Sequence, residues 1–222
     1  MNTVIRIGTR ESQLALWQAT QVKNLLEQHG HPAQLVAVKS DGDIDLKTPL
    51  YEMGVQGIFT RSLDIALIEN RIDIAVHSMK DVPTRLPMGI VQASVLKRGP
   101  VSDLLVYRIN EDFLTEEEKI SVIATSSIRR KAQWLNRFPH HQLVNLRGNV
   151  NTRLQKLKVS EWDGAIFAQA GLERINVRPE NSTVLNWMLP APAQGAIMIV
   201  CRKNDEPTLE ACSKFNHADT NL

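Results

Sequence analysis

Ile72-Asp73-Ile74-Ala75-Val76-His77-Ser78-Met79-Lys80-Asp81-Val82-Pro83 begins as an apolar run and ends in a polar corner closed by proline. Ile72, Ile74, Ala75 and Val76 read as a short strand buried on both faces, as in a parallel sheet. Pro83 lacks an N–H and pushes Val82 away from helical dihedrals, so the strand is expected to end here without running into a helix. Ser78, Lys80 and Asp81 then stand at the carboxyl end of a buried strand, where open α/β sheets bind ligands. A hydroxyl, a cation and a carboxylate on one stiff corner suit acid–base chemistry on a charged substrate.

On both sides of this stretch strands alternate with helices. Upstream, residues 4–7 read as a strand and Gly8-Thr9-Arg10-Glu11-Ser12 as a polar joint. A helix follows with Leu14, Leu16, Trp17, Val22, Leu25 and Leu26 as its apolar stripe, and Gly30 ends it. Residues 35–38 form a second strand. A long polar loop over 39–57 carries Asp41, Asp43 and Asp45, and helical spacing returns over 58–69. Downstream, 90–95 is a strand and Lys97-Arg98-Gly99-Pro100 a linker, after which the pattern restarts. Strands are expected at 104–107, 122–124, 143–146 and 164–168, with helices at 128–137, 150–157 and 169–175. Glu116-Glu117-Glu118 reads as a solvated turn or short helix. A last strand at 196–200 and helix at 206–215 come after the second unit is complete, so the chain is expected to cross back into the first. The fold class is α/β with parallel sheets, in two domains of similar build: 1–98 with 194–217, and 102–190. Two crossing segments make a hinge, with a cleft between the domains.

Composition narrows the function. The 222 residues are 43% hydrophobic and 23% charged, with 26 Lys and Arg against 24 Asp and Glu and a net charge of +2. No global field draws nucleic acid, so any basic site is local. No apolar run reaches the roughly 20 residues that span a bilayer, and the first residues lack the apolar core of a signal peptide. Cys201 and Cys212 form no CxxC, which points to structural thiols in a reducing cytoplasm. His29, His31, His77, His140, His141 and His217 show no ligand spacing with them, so no metal is expected. His140-His141 after Pro139 reads as an exposed loop. Walker and GxGxxG motifs are absent from the sequence.

Three joints share one plan of strand, polar turn and helix: Gly8 to Ser12, Thr125-Ser126-Ser127-Ile128-Arg129-Arg130, and Arg147-Gly148-Asn149-Val150-Asn151-Thr152-Arg153. A helix start offers unpaired N–H groups and a positive dipole end, hydroxyls add donors, and arginine grips a carboxylate with a planar fork. Plain capping explains any one joint as well. Their repetition at strand ends points to a ligand with several carboxylates.

Together these motifs resemble the porphobilinogen deaminase (hydroxymethylbilane synthase) family. The markers are Thr9 to Ser12 with Leu14-Ala15-Leu16-Trp17-Gln18-Ala19, the stretch from Asp73 to Pro83, Thr125 to Arg130, Leu146 to Asn149 with Thr152-Arg153, and Ala193-Gln194-Gly195-Ala196. The resemblance implies an enzyme that joins four porphobilinogen molecules head to tail with loss of ammonia, giving the linear tetrapyrrole of haem biosynthesis. It implies two periplasmic-binding-protein-like domains and a dipyrromethane cofactor that holds the growing polypyrrole. By the same resemblance Asp81 is the catalytic carboxylate, expected to be buried. Arg10, Ser12, Gln18, Lys80, Arg129, Arg130, Arg147, Arg153 and Arg174 match positions that bind cofactor or substrate. Ser78, Thr125, Ser126 and Ser127 match its hydroxyl donors.

Two departures stand out. Glu52 and Gln56 occupy places where many relatives carry lysine. Relatives also continue into a third α+β domain, whose cysteine holds the cofactor through a thioether, and neither Cys201 nor Cys212 matches it. The chain therefore reads as a two-domain fragment, with 218–222 starting the linker, inactive alone and expected as a cytoplasmic monomer with no nucleic-acid or membrane partner. The competing reading is a non-catalytic two-domain binding module for a small polycarboxylate. A DNA-linked regulator fits worst, because the sequence has no helix-turn-helix segment or basic stripe.

Overall fold

The computed structural model describes residues 3–39, 59–115 and 119–221. The expected loop at 40–57, with Glu52 and Gln56, the start of the next helix at Ile58, and the turn at 116–118 lie outside the described residues. In chain order the elements are β1 (Ile5–Thr9), α1 (Gln13–Gln28), β2 (Ala33–Ala37), α2 (Arg61–Ile68), β3 (Ile74–Ser78), β4 (Ile90–Val95), β5 (Asp103–Tyr107), β6 (Val122–Ala124), α3 (Ile128–Arg137), β7 (Gln142–Val144), α4 (Val150–Val159), β8 (Gly164–Ala168), α5 (Gln169–Arg174), β9 (Ser182–Val184), β10 (Ile197–Arg202) and α6 (Glu206–Ser213). They form two units. The first holds the described residues up to Gly99 and those from Ala193 on, and the second holds Pro100–Pro192.

The first unit has a five-stranded sheet in the order β2-β1-β3-β10-β4. β1 runs parallel to β2 and to β3, and β10 is antiparallel to β3 and β4. Alternation along β3 sends Ile74 and Val76 to one face, against Val22 and Leu26 of α1, and Ala75 to the other, against Leu63 and Leu67 of α2. Gly8 on β1 leaves no room for a side chain, since a Cβ there would lie 2.2 Å from Cδ1 of Ile72. On α1 the expected stripe is shifted. Leu16 is exposed, and Gln18 takes a buried place beside Ala19, Val22 and Leu26.

The second unit repeats the plan, in the order β7-β6-β8-β5-β9. β6 is parallel to β7 and β8, and β5 is antiparallel to β8 and β9. The sheets are therefore mixed, which corrects the expectation of parallel ones. The run Ile197-Met198-Ile199-Val200-Cys201 is buried throughout, but a central antiparallel strand covered on both faces has the same composition as a parallel one. β9 went unread because its three residues, Ser182-Thr183-Val184, carry little apolar signal.

His140 is exposed, as expected of a loop, but His141 is not. It is 7% exposed, and its Nδ1 accepts a hydrogen bond from the indole N–H of Trp134 at 3.2 Å. In the first unit the outgoing and returning segments are bonded together, Leu96 N–H to Ile197 O and Gly99 N–H to Gly195 O. The Thr220 hydroxyl oxygen accepts from Arg98 N–H, so the last described residues are tied to this unit.

Candidate active site

Because β1, β2 and β3 run the same way, their carboxyl ends share one edge of the first sheet. β3 ends at Ser78 and turns through a short 3₁₀ segment, Met79–Asp81, closed by a hydrogen bond from Val82 N–H to Met79 O. The strand ends at this corner as expected, but it runs into one 3₁₀ turn where no helix was expected. That turn lifts Asp81 off the strand, so within the described residues Asp81 and Lys80 are exposed, which corrects the expected burial of the carboxylate. The amide of Gln18, 3% exposed, donates to the Ser78 hydroxyl at 2.9 Å and links α1 to the end of β3. Ser12 caps α1 by accepting from Ala15 N–H. Arg10 lies over the ring of Phe59, 4.4 Å from its centroid, a cation–π contact that orients the guanidinium. Phe59 had no sequence signal beyond its apolar spacing.

Behind this corner His77 is 6% exposed, and among the described residues its Nε2 has no hydrogen-bond partner. Burial, aided by the charge of Arg10, pushes its pKa down to about 4. As pH falls, the unfolded chain takes up this proton before the folded one. Stability is therefore full above about 6.5 and is lost toward about 4, by about 3 kcal/mol from this ring. Urea denaturation across that range should show the loss, and His77→Gln should flatten it. An unchanged slope in the variant would rule out His77 as the source.

In the second unit β6, β7 and β8 likewise bring their carboxyl ends to one edge. The buried Thr125 hydroxyl oxygen accepts from Ser127 N–H. Ser126 Oγ accepts from Leu146 N–H at 2.8 Å and donates to Leu146 O, stitching the ends of β6 and β7. Ser127 and Asn149 cap α3 and α4. Gly148, at φ +113°, makes the turn into α4 in a region that disfavours side chains. Arg147 is 4% exposed. Arg153 Nε donates to Gly148 O at 2.7 Å, so this guanidinium folds back over the start of its helix. Arg129 and Arg130 both reach the carboxylate of Asp103, a residue outside the sequence-predicted site. Its only signal was a charge heading the apolar strand Asp103-Leu104-Leu105-Val106-Tyr107. Arg174 ends α5, and burial pulls its pKa below the ordinary arginine value against the opposing charge of Glu173.

Cys201 and Cys212 are free, fully buried thiols, and burial pushes their pKa values up to about 11 and about 12. Among the described residues no three His, Cys, Asp or Glu side chains group as metal ligands. No helix there is long and apolar enough to cross a membrane.

Comparison with known proteins bears on the fold and on the family. In solved structures, the two-unit fold is similar to a periplasmic substrate-binding protein of an ABC transporter from Coxiella burnetii, at TM-score 0.57 and 14% identity, covering 98% of this chain and 93% of that one. It is also similar to the probable amino-acid ABC transporter extracellular-binding protein from Bacillus subtilis, at TM-score 0.58 and 12% identity, covering 96% and 90%. These likenesses concern the fold alone. In sequence the chain is 43% identical to the chloroplastic porphobilinogen deaminase of rice, over 99% of this chain and 63% of that protein. It is 42% identical to a probable porphobilinogen deaminase of Methanocaldococcus jannaschii, over 99% and 74%. Residues 5–210 match the family model described as porphobilinogen deaminase, dipyromethane cofactor binding domain. That match takes in the corner at Asp81 and both arginine-bearing helix starts, and the chain accordingly belongs to the porphobilinogen deaminase family.

Proposed function

We propose that this chain carries the catalytic carboxylate and the carboxylate-binding groups of a porphobilinogen deaminase, which condenses porphobilinogen head to tail with release of ammonia. The observation that carries the reading is the placement of Asp81 at the carboxyl end of β3, in a chain matched to the family model over residues 5–210. When the C–N bond of the substrate breaks, ammonia leaves with the electron pair and a cation spreads over the methylene and the pyrrole ring. A carboxylate hydrogen-bonded to the pyrrole N–H stabilises that charge, and Asp81 takes this role. The carbon of a second pyrrole then forms the new C–C bond and loses its proton.

The donor set fits a ligand that carries an acetate and a propionate on every ring. Arg147 and Arg153 stand at the start of α4, and Ser126 and Ser127 at the start of α3. Ser127, which caps α3, accepts through its oxygen and keeps its O–H to donate, whereas Ser126 donates its own to Leu146 O. Dipyrromethane has the same carboxylates, so these residues would hold it, and when bound it supplies the pyrrole terminus on which the product is built. Arg10, Ser12 and Lys80 serve the ring next to Asp81. Neither cysteine suits covalent attachment, because each thiol is buried and held protonated. Unpaired core thiols support a reducing, cytoplasmic setting.

Titration calorimetry with porphobilinogen tests the reading on the chain itself. Binding is expected. Arg153→Gln should weaken it about tenfold, the scale of one charge-assisted hydrogen bond. Absence of heat at millimolar ligand would overturn the assignment.

A further inference from the structure

Asp103 heads β5 directly opposite Ala168, the last residue of β8, so it stands on the same sheet edge as the starts of α3 and α4. It is fully buried. Its two oxygens are divided between two guanidiniums. Oδ1 accepts from Arg130 Nη2 at 2.7 Å and Nε at 3.2 Å. Oδ2 accepts from Arg129 Nη2 at 2.6 Å. Arg130 also donates from Nη1 to Ile166 O at 2.8 Å, and its side chain is 7% exposed. That guanidinium is committed inside the unit. The Arg129 side chain is 23% exposed and has one further hold, on the carbonyl oxygen of Leu189.

Of the two guanidiniums on this carboxylate, that of Arg129 is the one that reaches the surface. The bonds to Asp103 and to Leu189 O restrict the rotamers of the Arg129 side chain before any ligand arrives. We propose that Asp103 is a positioning residue for ligand binding. It fixes the Arg129 guanidinium in the orientation that meets a ligand carboxylate and keeps Arg130 as its internal anchor. The proposal rests on the reading above, that this edge binds carboxylates of the porphobilinogen type.

The test is porphobilinogen affinity by calorimetry on this chain, at a temperature where circular dichroism shows each variant folded. Arg129→Gln is expected to lose about tenfold, one charge-assisted contact. Arg129→Lys should bind no better than Arg129→Gln, because it keeps the charge but loses the fork that Asp103 orients. Asp103→Asn should lose about tenfold on its own and nothing more when added to Arg129→Gln, the signature of coupled residues. Where Asp103→Asn does not fold, the Arg129→Lys comparison decides alone. Wild-type affinity in Arg129→Lys overturns the proposal, and so do losses that simply add. A wild-type chain that binds no porphobilinogen overturns this proposal together with the functional reading, whereas binding that is indifferent to Asp103 overturns this proposal only.

Discussion

Asp81→Asn is expected to leave porphobilinogen binding intact or slightly tighter and to lower turnover by about 10²–10⁴-fold, the usual range for a positioned acid–base group. The amide keeps the shape of the carboxylate and can still accept a hydrogen bond from the pyrrole N–H. It cannot balance a positive charge or carry a proton. Binding gains from the change because the substrate is itself an anion at its acetate and propionate, and a negative charge facing it is unfavourable. On the proposed reading, Asp81 opposes the ground state and favours the cationic transition state, which is how a group raises turnover without raising affinity. Its placement supports this: the turn at Met79–Asp81 is fixed to the sheet by Met79 N–H on Ala196 O, and Val82 N–H closes it. Binding is read on the chain itself by calorimetry. Ammonia release is read on the chain joined to the part of the rice relative that it does not span. A module that only binds polycarboxylates would show the improved affinity and no ammonia release from either form. Equal turnover in both forms would remove Asp81 from the chemistry.

Much of this site was legible in the sequence because its parts are local. A strand, a proline-closed corner and an Arg-Ser or Arg-Asn joint before a helix are each set by neighbours within about a dozen residues. Ser12, Ser127 and Asn149 were readable as helix starts on those grounds, and all three cap their helices. What the sequence hid were relations across distance. Arg129 and Arg130 read as carboxylate-binding arginines at a helix start; that Asp103 neutralises part of their charge depends on β5 running antiparallel beside β8, which no local pattern reveals. Gln18 could be placed near the site only by resemblance, since a glutamine on an apolar helix face gives no hint of Ser78, sixty residues away. The burial of Asp81 was expected from the resemblance alone, and one local 3₁₀ turn is enough to carry the carboxylate out of the sheet.

The second large effect concerns the support of α3, the helix whose first turn bears Arg129 and Arg130. Trp134 lies one turn further along and is fully buried. Its ring packs against Phe138 at 5.0 Å, Trp187 at 5.8 Å and His141 at 6.0 Å between centroids. Trp134→Ala is expected to destabilise the fold by about 3–5 kcal/mol, the cost of emptying a large core site. For a chain of this size that corresponds to a fall in melting temperature of about 6–20 °C. Trp134→Phe separates two contributions. It restores most of the packing but removes the indole N–H that donates to His141 Nδ1, and should cost about 1–3 kcal/mol for the buried acceptor left alone. That bond also makes the cluster sensitive to acid. Burial lowers the pKa of His141, against the charge of Asp163, so the neutral ring that accepts from Trp134 persists in the folded state as pH falls below the ordinary histidine value near 6.5. The unfolded chain protonates first, and the stability tied to the neutral ring is lost on the acid side of that value. Trp134→Phe removes the hydrogen bond and should therefore lose less stability on acidification than the wild type. Differential scanning calorimetry at pH 7 and pH 5 reads both effects. A melting temperature for Trp134→Ala within 2 °C of wild type would mean that the cluster collapses around the gap, and that α3 is held chiefly by Asp103 and its two arginines.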